Sequence, residues 1–211
     1  MRNKNIKERI IYLSYKHKLS HIGSCLTSVD IIEDIYSRKK QNERILLGNG
    51  HAGLAMYCVI EQYMYVDAEE LLAKYGIHPV KSEHIDCTSG SLGHTLPIAV
   101  GMALADRTRN VYVIESDGSM MEGSNWEALR IAAELELDNL HIYFDFNGYS
   151  AYKLIDIKRL KKQIMSFLID KKPKIHFRDT NLDDFPEWLQ GIKSHYLVLD
   201  SNQYYEICRV C

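Results

Sequence analysis

Apolar residues recur every three to four positions in some segments of the chain and form short unbroken runs in others. The first spacing is typical of amphipathic helices, and the second of buried strands. Helices are predicted over residues 5–17, 98–105 and 124–135, and a charged helix is predicted between Asp156 and Ile169. Two more are predicted with one bound each: one starts at Ser28, and another follows the run at 44–47 and ends at Tyr65. Strands are predicted over residues 44–47, 111–114, 140–144, 174–177 and 196–199. Strands that alternate with helices in this way predict the α/β class, with a parallel sheet covered by helices on both faces.

The bulk composition is that of one ordinary globular domain. The chain has 211 residues, of which 46% are hydrophobic and 26% charged, and its formal net charge is −2. This balance gives no electrostatic reason to expect binding to nucleic acid or to an acidic membrane. We therefore expect residues 1–211 to form a single domain.

No segment has the pattern of a membrane span or a secretion signal. The longest apolar run, residues 96–105, is far shorter than the ~20 residues that cross a bilayer. Residues 1–18 carry charge throughout and contain no signal-peptide core. The five cysteines are scattered, and only Cys208 and Cys211 form a CxxC pair. Together these features predict a cytoplasmic protein.

Two of the predicted strands each end in an oxygen-bearing side chain next to a glycine. Asp117 follows the run at 111–114, and Asn147 follows the run at 140–144. Between them, residues 124–127 have the spacing of a helix capping box, so a strand–loop–helix–strand unit would place the two side chains together. Hard oxygen ligands beyond the carboxyl ends of parallel strands suit Mg²⁺ that holds a phosphate or diphosphate. The pattern therefore predicts a metal–phosphate site at this edge of the sheet.

A glycine-rich segment offers a competing interpretation. Gly48, Gly50 and Gly53 have the GxGxxG spacing of a dinucleotide-binding loop, and Asp67 lies 19 positions after Gly48. However, the apolar run before this loop is only about four residues long, and Asp67 follows a predicted helix instead of a second strand. Because Asp67 is then unable to reach a ribose, we disfavour a nicotinamide cofactor.

Four histidines and one glycine-rich loop form a second set of candidate groups. His21 and His51 each lie close to glycine at a predicted helix entrance, where backbone N–H groups attract anions. His78 precedes a proline, and His195 precedes a tyrosine. The glycines of residues 88–94 fit either a phosphate loop or a tight turn before the next helix. From the residues alone, each of these features is open between a ligand-binding role and a structural one.

Taken in order, these motifs resemble the diphosphate-binding half of a transketolase. The matching segments are residues 20–23 (Ser-His-Ile-Gly), Gly50-His51, His78-Pro79, residues 90–93 (Gly-Ser-Leu-Gly) with the small-residue helix after them, residues 116–118 (Ser-Asp-Gly) and residues 145–147 (Asp-Phe-Asn). The match extends from residue 5 to about residue 155 and is faint beyond it. The resemblance implies a thiamine diphosphate-binding fold with a shortened C-terminal part.

The resemblance also implies a role for each matching residue. Asp117 and Asn147 would bind Mg²⁺ through their side chains, and Tyr149 through its carbonyl group. Cofactor binding would involve His51, Gly90, Ser91, Leu92, Asp117, Gly118, Ser119, Glu122, Asp145, Asn147 and His195. The catalytic residues that face the reacting carbons would be His21, His78 and His51. Thiamine diphosphate and Mg²⁺ are the implied cofactors.

Several positions depart from the family's pattern. Ser116 replaces the first glycine of Gly-Asp-Gly, and a need for positive φ there would strain it by roughly 1 kcal/mol or more. Ser20 and Ile22 replace the glycine and proline around the first histidine, and Thr95 stands where a glycine is common. The stretch before His195 is much shorter than in the family, which leaves the role of His195 open.

Transketolases carry the glutamate that activates the cofactor's aminopyrimidine in their second half, beyond the matching region. The resemblance therefore implies the N-terminal subunit of a split transketolase, completed by a C-terminal, pyrimidine-binding subunit in an α₂β₂ assembly. Glu122 would lie at that subunit interface. The reaction would move a two-carbon ketol unit between sugars or sugar phosphates, with an unusual sugar of a specialised pathway as one hypothesis. Two alternatives stay open: the α-subunit of a 2-oxo-acid dehydrogenase-type enzyme, and a non-catalytic subunit that keeps the fold.

Overall fold

One parallel sheet organises the chain, whose computed structural model describes residues 6–150 and 152–210. Its strands are β1 Arg44–Leu47, β2 Val111–Ser116, β3 Leu140–Phe146 and β4 Lys174–Asp179. They pair in the order β1-β2-β3-β4, and every pair is parallel. Because all strands run the same way, their carboxyl ends lie at one edge of the sheet. The predicted α/β class is confirmed.

Helices connect the strands and account for most of the remaining chain. They are α1 Ile6–Lys16, α2 Ile22–Arg38, α3 Gly53–Met64, α4 Ala68–Tyr75, α5 Thr95–Ala105, α6 Gly123–Glu134, α7 Ile157–Ser166 and α8 Ser201–Val210. Short 3₁₀ turns cover Gly50–Ala52, Ser119–Met121, Leu182–Asp184, Glu187–Leu189 and Ile192–Tyr196. The helix predicted over residues 5–17 is α1, except that residue 5 lies outside the described residues. Within the described part of the chain, no helix is both long enough and apolar enough to cross a membrane.

Helices cover both faces of the sheet because the side chains of a strand alternate between the two faces. Tyr112 and Ile114 point into one core, which they share with α1, α2 and α3. Val113 and Ile142 point into the other core, which they share with α5, α6 and α7. Strand β2 is buried along its whole length, as is typical of a central parallel strand. The two helical layers therefore hold the strand ends in place.

Helix α2 begins at Ile22, well before the start predicted at Ser28. Its first turns bury Cys25 and Leu26, which extend the apolar spacing toward the N-terminus. His21 directly precedes the helix in the left-handed conformation, with φ 65° and ψ 20°. Because of this greater length, the N-terminal end of α2 reaches the carboxyl ends of the strands.

The strand predicted over residues 196–199 does not form, and this prediction is wrong. Ile192–Tyr196 is a 3₁₀ turn, residues 197–200 are irregular, and α8 follows. Helix α8 packs against α1, and the 3₁₀ turn packs against α2, so this part of the chain lies on the helical layer and not beside β4. The local pattern suits a strand, but strand preference depends strongly on a neighbouring strand to pair with.

The capping box predicted at residues 124–127 is also wrong. Helix α6 begins at Gly123, and Glu122 before it makes no side-chain cap. Ser124 lies inside the first turn, where its hydroxyl group donates to the carbonyl oxygen of Gly93 at 2.7 Å. The serine thus ties α6 to the loop before α5, which packs alongside α6.

Asp67, the acidic residue of the competing dinucleotide motif, is the N-cap of α4. Its carboxylate accepts hydrogen bonds from the backbone N–H groups of Glu69 and Glu70, at 2.7 and 3.2 Å. It follows α3 and no strand, as the sequence interpretation expected. A residue in this position serves the helix and does not face a nucleotide.

Candidate active site

A cavity lies at the edge of the sheet where β1, β2 and β3 end. Asn49 follows β1, Asp117 follows β2 and Asn147 follows β3, and all three residues line the cavity. The backbone N–H of Asn147 donates to Asp117 Oδ2 at 3.2 Å. The strand ends therefore bring Asp117 and Asn147 together, as their positions after two neighbouring strands predict.

Asp117 is a fully buried carboxylate surrounded by backbone donors. Its Oδ1 accepts from the N–H of Gly118 at 2.9 Å, and its Oδ2 accepts from Gly148 at 2.6 Å as well as from Asn147. Among the described residues, no lysine, arginine or histidine forms a salt bridge with it. Burial, and to a smaller extent the charge of Asp145, raises the pKa of Asp117 to about 7. A buried carboxylate without a cation is a group that a bound metal ion stabilises.

The atoms around Asp117 fit a small, hard cation. Asn147 offers an amide oxygen, which accepts from the N–H of Tyr149 at 3.0 Å and so fixes the turn between them. Gly148 makes this turn with φ 85°, a region that favours glycine. A carboxylate, an amide oxygen and the carbonyl oxygen of Tyr149 are the donor types that Mg²⁺ prefers. Among the described residues, no group of three or more His, Cys, Asp or Glu side chains is arranged to hold a metal ion, here or elsewhere.

Asp145, the second buried carboxylate of the strand ends, is held by hydroxyl groups of α2. Thr27 and Ser28 each donate to its Oδ2 at 2.7 Å. Burial raises the pKa of Asp145 to about 6, against the lowering effect of these hydrogen bonds. Ser28 also accepts from Asn49 Nδ2 at 2.7 Å. Asp145 lines the cavity, but the contacts of its Oδ2 fasten α2 to the ends of β1 and β3.

Three of the four candidate histidines meet at the entrance of α2. The ring centroid of His21 lies 4.4 Å from that of His195 and 5.0 Å from that of His51. The backbone N–H of His21 donates to the carbonyl oxygen of His195 at 3.2 Å. His51 Nε2 lies 3.1 Å from Ser24 Oγ, within hydrogen-bond distance. All three histidines line the cavity, including His195, for which the sequence left the role open.

Burial makes these imidazoles neutral at physiological pH. Burial and the neighbouring histidines lower the pKa of His21 to about 4 and that of His51 to about 3. Burial also lowers the pKa of His195. A neutral imidazole offers one N–H donor and one lone pair, and Nδ1 of His21 has no hydrogen-bond partner among the described residues. Each imidazole can therefore donate one hydrogen bond and accept another at the cavity wall.

The two glycine-rich loops pack directly against each other. A Cβ on Gly50 would lie 2.5 Å from the backbone nitrogen of Gly90, closer than real Cβ atoms approach. Gly90 has φ 143°, and a Cβ there would lie 3.1 Å from Cγ of His78. Leu92 lines the cavity, whereas His78, Gly90 and Ser91 do not. The structure therefore places His78 beside the loop, exposed, and close enough to His21 and His51 to help lower their pKa values.

The turn after β2 explains how serine replaces glycine at position 116. Ser116 is not among the described residues with positive φ, so the anticipated strain does not arise. Its Oγ accepts from the N–H of Ser119 at 3.1 Å, and Ser119 Oγ donates to the carbonyl oxygen of Ser116 at 2.8 Å. Ser119 is buried in this turn and does not line the cavity. Gly118 lines the cavity, with its N–H directed to Asp117, and Glu122 is exposed outside it.

Residues 180–195 complete the cavity, and of these the sequence predicted a binding role only for His195. The further lining residues in this segment are Thr180, Leu182, Phe185, Leu189, Gln190, Gly191, Ile192 and Ser194. Gln190 Nε2 donates to the carbonyl oxygens of Leu182 and Phe185, at 3.0 and 2.9 Å, and so holds the 3₁₀ turns together. Thr27, Asn49 and Ser150 were missed as well. Asn49 alone carried a signal, because it adjoins the Gly50-His51 motif.

Known proteins resemble this chain in sequence. Residues 15–167 match the family described as "Transketolase, thiamine diphosphate binding domain". The chain is 34% identical over 167 residues to an apulose-4-phosphate transketolase subunit from Actinobacillus succinogenes, a match that covers 68% of this chain and 60% of that protein. It is 28% identical over 211 residues to the transketolase of Homo sapiens, a match that covers 90% of this chain and 30% of that protein. The chain thus spans about 60% of the length of the Actinobacillus succinogenes relative.

The fold is shared with solved transketolase structures. The transketolase of Campylobacter jejuni superposes with a TM-score of 0.74 at 20% sequence identity, over 98% of this chain and 43% of that one. At this identity the likeness concerns the fold alone, and the family assignment rests on the matched residues 15–167. On that match, the chain belongs to the transketolase family and carries that family's thiamine diphosphate-binding domain.

Proposed function

We propose that this chain is the N-terminal subunit of an enzyme that transfers a two-carbon ketol unit between sugars, with thiamine diphosphate and Mg²⁺ as cofactors. One observation carries the proposal. A single cavity combines the buried, cation-free Asp117 next to Asn147 with the neutral imidazoles of His21, His51 and His195. The first group suits a metal-bound diphosphate, and the second suits hydrogen bonds to the hydroxyl and carbonyl groups of a sugar.

The strand ends would hold the cofactor. Asp117 and Asn147 would hold Mg²⁺ through their side chains, and Tyr149 through its carbonyl oxygen. The ion would supply positive charge for the diphosphate. Leu92 would border the aminopyrimidine, because it is the residue of its loop that lines the cavity. When bound, thiamine diphosphate supplies the carbanion that attacks a ketose carbonyl and the electron sink that accepts the resulting charge.

The histidines would bind the hydroxyl and carbonyl groups of the transferred unit. His21 and His51 are neutral at pH 7, so each can donate an N–H to a carbonyl oxygen and accept a hydrogen bond from a sugar hydroxyl group through its other ring nitrogen. Nδ1 of His21 is the atom with no partner among the described residues. His78, which is exposed beside Gly90, would contact the sugar from the side of that loop.

Apolar side chains would keep water away from the reacting atoms. Leu182, Phe185 and Leu189 lie in the C-terminal segment that lines the cavity on the same side as His195. Excluding water strengthens the electrostatic interactions in the site and protects a reactive carbanion from protonation.

A pyrimidine-binding subunit would complete the enzyme and supply the activating glutamate, in an α₂β₂ assembly. Helix α5 has no charged residue, yet Ile98 and Leu104 are 40% and 46% exposed. Gly101 on the same helix is open, since a Cβ there would meet no atom within 4 Å. An uncharged, small-residue helix surface suits close contact with a second chain. Three of the relatives have names that describe them as single subunits of a transketolase.

The substrate we propose is a specialised sugar or sugar phosphate, handled in the cytoplasm. The names of the relatives refer to apulose-4-phosphate and to 6-deoxy-6-sulfo-D-fructose, which are not common pentose phosphates. A 2-oxo-acid dehydrogenase-type reaction is less well supported, because three neutral histidines in one cavity suit the many hydroxyl groups of a sugar. Activity with ordinary pentose phosphates that equals or exceeds activity with any specialised sugar would count against this part of the proposal.

Calorimetric titration of thiamine diphosphate and Mg²⁺ into the chain mixed with its partner subunit tests the proposal. We expect saturable binding by the wild type and its loss in Asp117→Ala, because the metal loses its only carboxylate ligand. Asp179→Ala is a matched control, since Asp179 also ends a strand but is exposed and paired with Lys161. It should bind as the wild type does. If the wild-type mixture binds no cofactor, the catalytic proposal fails and a non-catalytic subunit that keeps the fold becomes the better account.

A further inference from the structure

Asn49 is a buried residue of the cavity wall that the proposed chemistry leaves without a role. It follows β1, is 1% exposed and lines the cavity. Its Nδ2 donates to Ser28 Oγ at 2.7 Å, whereas its Oδ1 has no hydrogen-bond partner among the described residues. A buried amide oxygen without a donor is unfavourable, and such a group calls for an explanation.

The hydrogen bonds of Ser28 determine which end of the Asn49 amide is left over. A serine hydroxyl group has one hydrogen to donate, and Ser28 directs it to the carboxylate of Asp145 at 2.7 Å. Ser28 Oγ can therefore only accept from Asn49, which turns the NH₂ group of Asn49 toward Ser28. The end of the amide without a partner is thus its oxygen, a hydrogen-bond acceptor.

An acceptor at this position selects a ligand that has a hydrogen to donate. The diphosphate group is excluded as its partner, because it is ionised at neutral pH and offers acceptors only. In the proposed reaction, O–H groups are found on Mg²⁺-bound water and on the sugar. Asn49 lies between the place expected for the metal-bound water and the place expected for the sugar. Leu47 pairs with Ile114, so Asn49, two residues further on, lies level with Ser116 and next to Asp117. Asn49 also precedes His51 by two residues.

We infer that Asn49 is a further binding residue of this site, whose Oδ1 accepts a hydrogen bond from an O–H group of metal-bound water or of the sugar. The inference rests on the proposed function, since both O–H groups belong to it. Ser28 and Asp145 act as positioning residues, because they fix the orientation of the amide.

The test compares two substitutions of buried asparagines. Asn49→Leu removes the acceptor and keeps a side chain with the same branching. Asn139→Leu is the matched control: Asn139 is 4% exposed, its Nδ2 donates to carbonyl oxygens of Ala103, Asp106 and Arg109, and its Oδ1 likewise has no partner among the described residues. It lies just before β3, at the opposite end of the sheet from the cavity. The probes are Mg²⁺ with thiamine diphosphate by calorimetry, and the KM for the sugar, both on the chain combined with its partner subunit.

We expect Asn49→Leu to weaken one of the two constants about tenfold, the size of one lost hydrogen bond, and Asn139→Leu to leave both unchanged. A higher Kd for Mg²⁺ and cofactor assigns the O–H group to metal-bound water. A higher KM with an unchanged Kd assigns it to the sugar. Equal constants for the two variants overturn the inference while the proposed function stands, and a wild type that binds no cofactor refutes both. If Asn49→Leu does not fold, Asn49→Ala removes the same acceptor without added bulk.

Discussion

Replacing Asp117 by asparagine should stabilise the chain on its own and at the same time destroy the proposed metal site. The carboxylate is fully buried and has no cation among the described residues, so its ionisation opposes folding. The sign follows from its pKa, which is raised from 3.8 to about 7 in the folded protein. The unfolded chain loses this proton near pH 4 and the folded chain near pH 7. Stability from this group is therefore lost as the pH rises through that interval.

Two opposing contributions set the magnitude. At pH 8 the raised pKa corresponds to about 4 kcal/mol of lost stability, at about 1.4 kcal/mol for each pH unit. Asparagine avoids this loss, but it keeps one oxygen where aspartate has two. The N–H of Gly118 or those of Asn147 and Gly148 then face an NH₂ group, which costs roughly 1–3 kcal/mol. We expect Asp117→Asn to be more stable than the wild type by about 1–3 kcal/mol at pH 8.

Urea denaturation of the chain without cofactor, at pH 5 and at pH 8, measures this difference. At pH 5 the aspartate is protonated in the folded state, so the advantage of asparagine should vanish or reverse. Calorimetry on the complex with the partner subunit should show that Asp117→Asn no longer binds Mg²⁺ and thiamine diphosphate. The reasoning is refuted if Asp117→Asn is no more stable, relative to the wild type, at pH 8 than at pH 5.

Glu115 provides a matched control two residues away. It is fully buried under α5, its Oε1 has no partner among the described residues, and burial raises its pKa to about 7. It does not line the cavity. Glu115→Gln should therefore gain stability at pH 8, as Asp117→Asn does, while Mg²⁺ and cofactor still bind. A loss of binding in both variants would mean that the stability of the strand ends, and not the Asp117 carboxylate, controls the site.

Three further predictions follow from other parts of the structure. The folded-state pKa of His51 is about 3, so the wild type loses about 2 kcal/mol of unfolding free energy as the pH falls from 6.5 to 5. His51→Gln should not show this loss, and urea titrations at the two pH values measure it. Gly50→Ala should weaken cofactor binding and cost about 1–3 kcal/mol of stability, since its Cβ would lie 2.5 Å from the nitrogen of Gly90. Gly101→Ala, on an exposed part of α5, should be neutral or stabilising when both variants are compared by thermal melting. Leu104→Glu should leave the melting temperature of the free chain unchanged but prevent co-purification with the partner subunit, and Tyr205→Glu on α8, which is also exposed, should not.

The sheet and the Asp117–Asn147 pair were predictable from sequence because they depend on local signals. Short apolar runs gave all four strands, and a polar residue after each of two neighbouring strands is brought to one edge by parallel topology alone. The entrance of α2 was less accessible. Gly23 and Ser24 look like loop residues, yet Cys25 and Leu26 are buried at helical spacing and carry the helix back to His21.

The C-terminal cover of the cavity could not be predicted, for a physical reason. Residues 182–196 form three short 3₁₀ turns, whose apolar residues have neither helical nor strand periodicity. Their positions depend on contacts distant in sequence, such as the hydrogen bond from the His21 backbone to His195. Residues 196–199 showed the opposite error, because a strand-like pattern there has no neighbouring strand to pair with.

The two carboxylates of the strand ends divide the work of the site between them. Asp117 and Asp145 follow or end adjacent strands, are both buried and have raised pKa values, so burial does not distinguish them. Their donors do. Asp145 receives two hydroxyl hydrogen bonds from α2 and so holds that helix, with His21 at its start, against the sheet. Among the described residues, Asp117 receives only backbone N–H groups, from its own loop and from that of Asn147, and it lines the cavity. Asp145, which is bound to α2, can position the histidines, and Asp117, which is not, would bind the proposed metal ion. Exchanging those roles would require moving α2, not only changing the two residues.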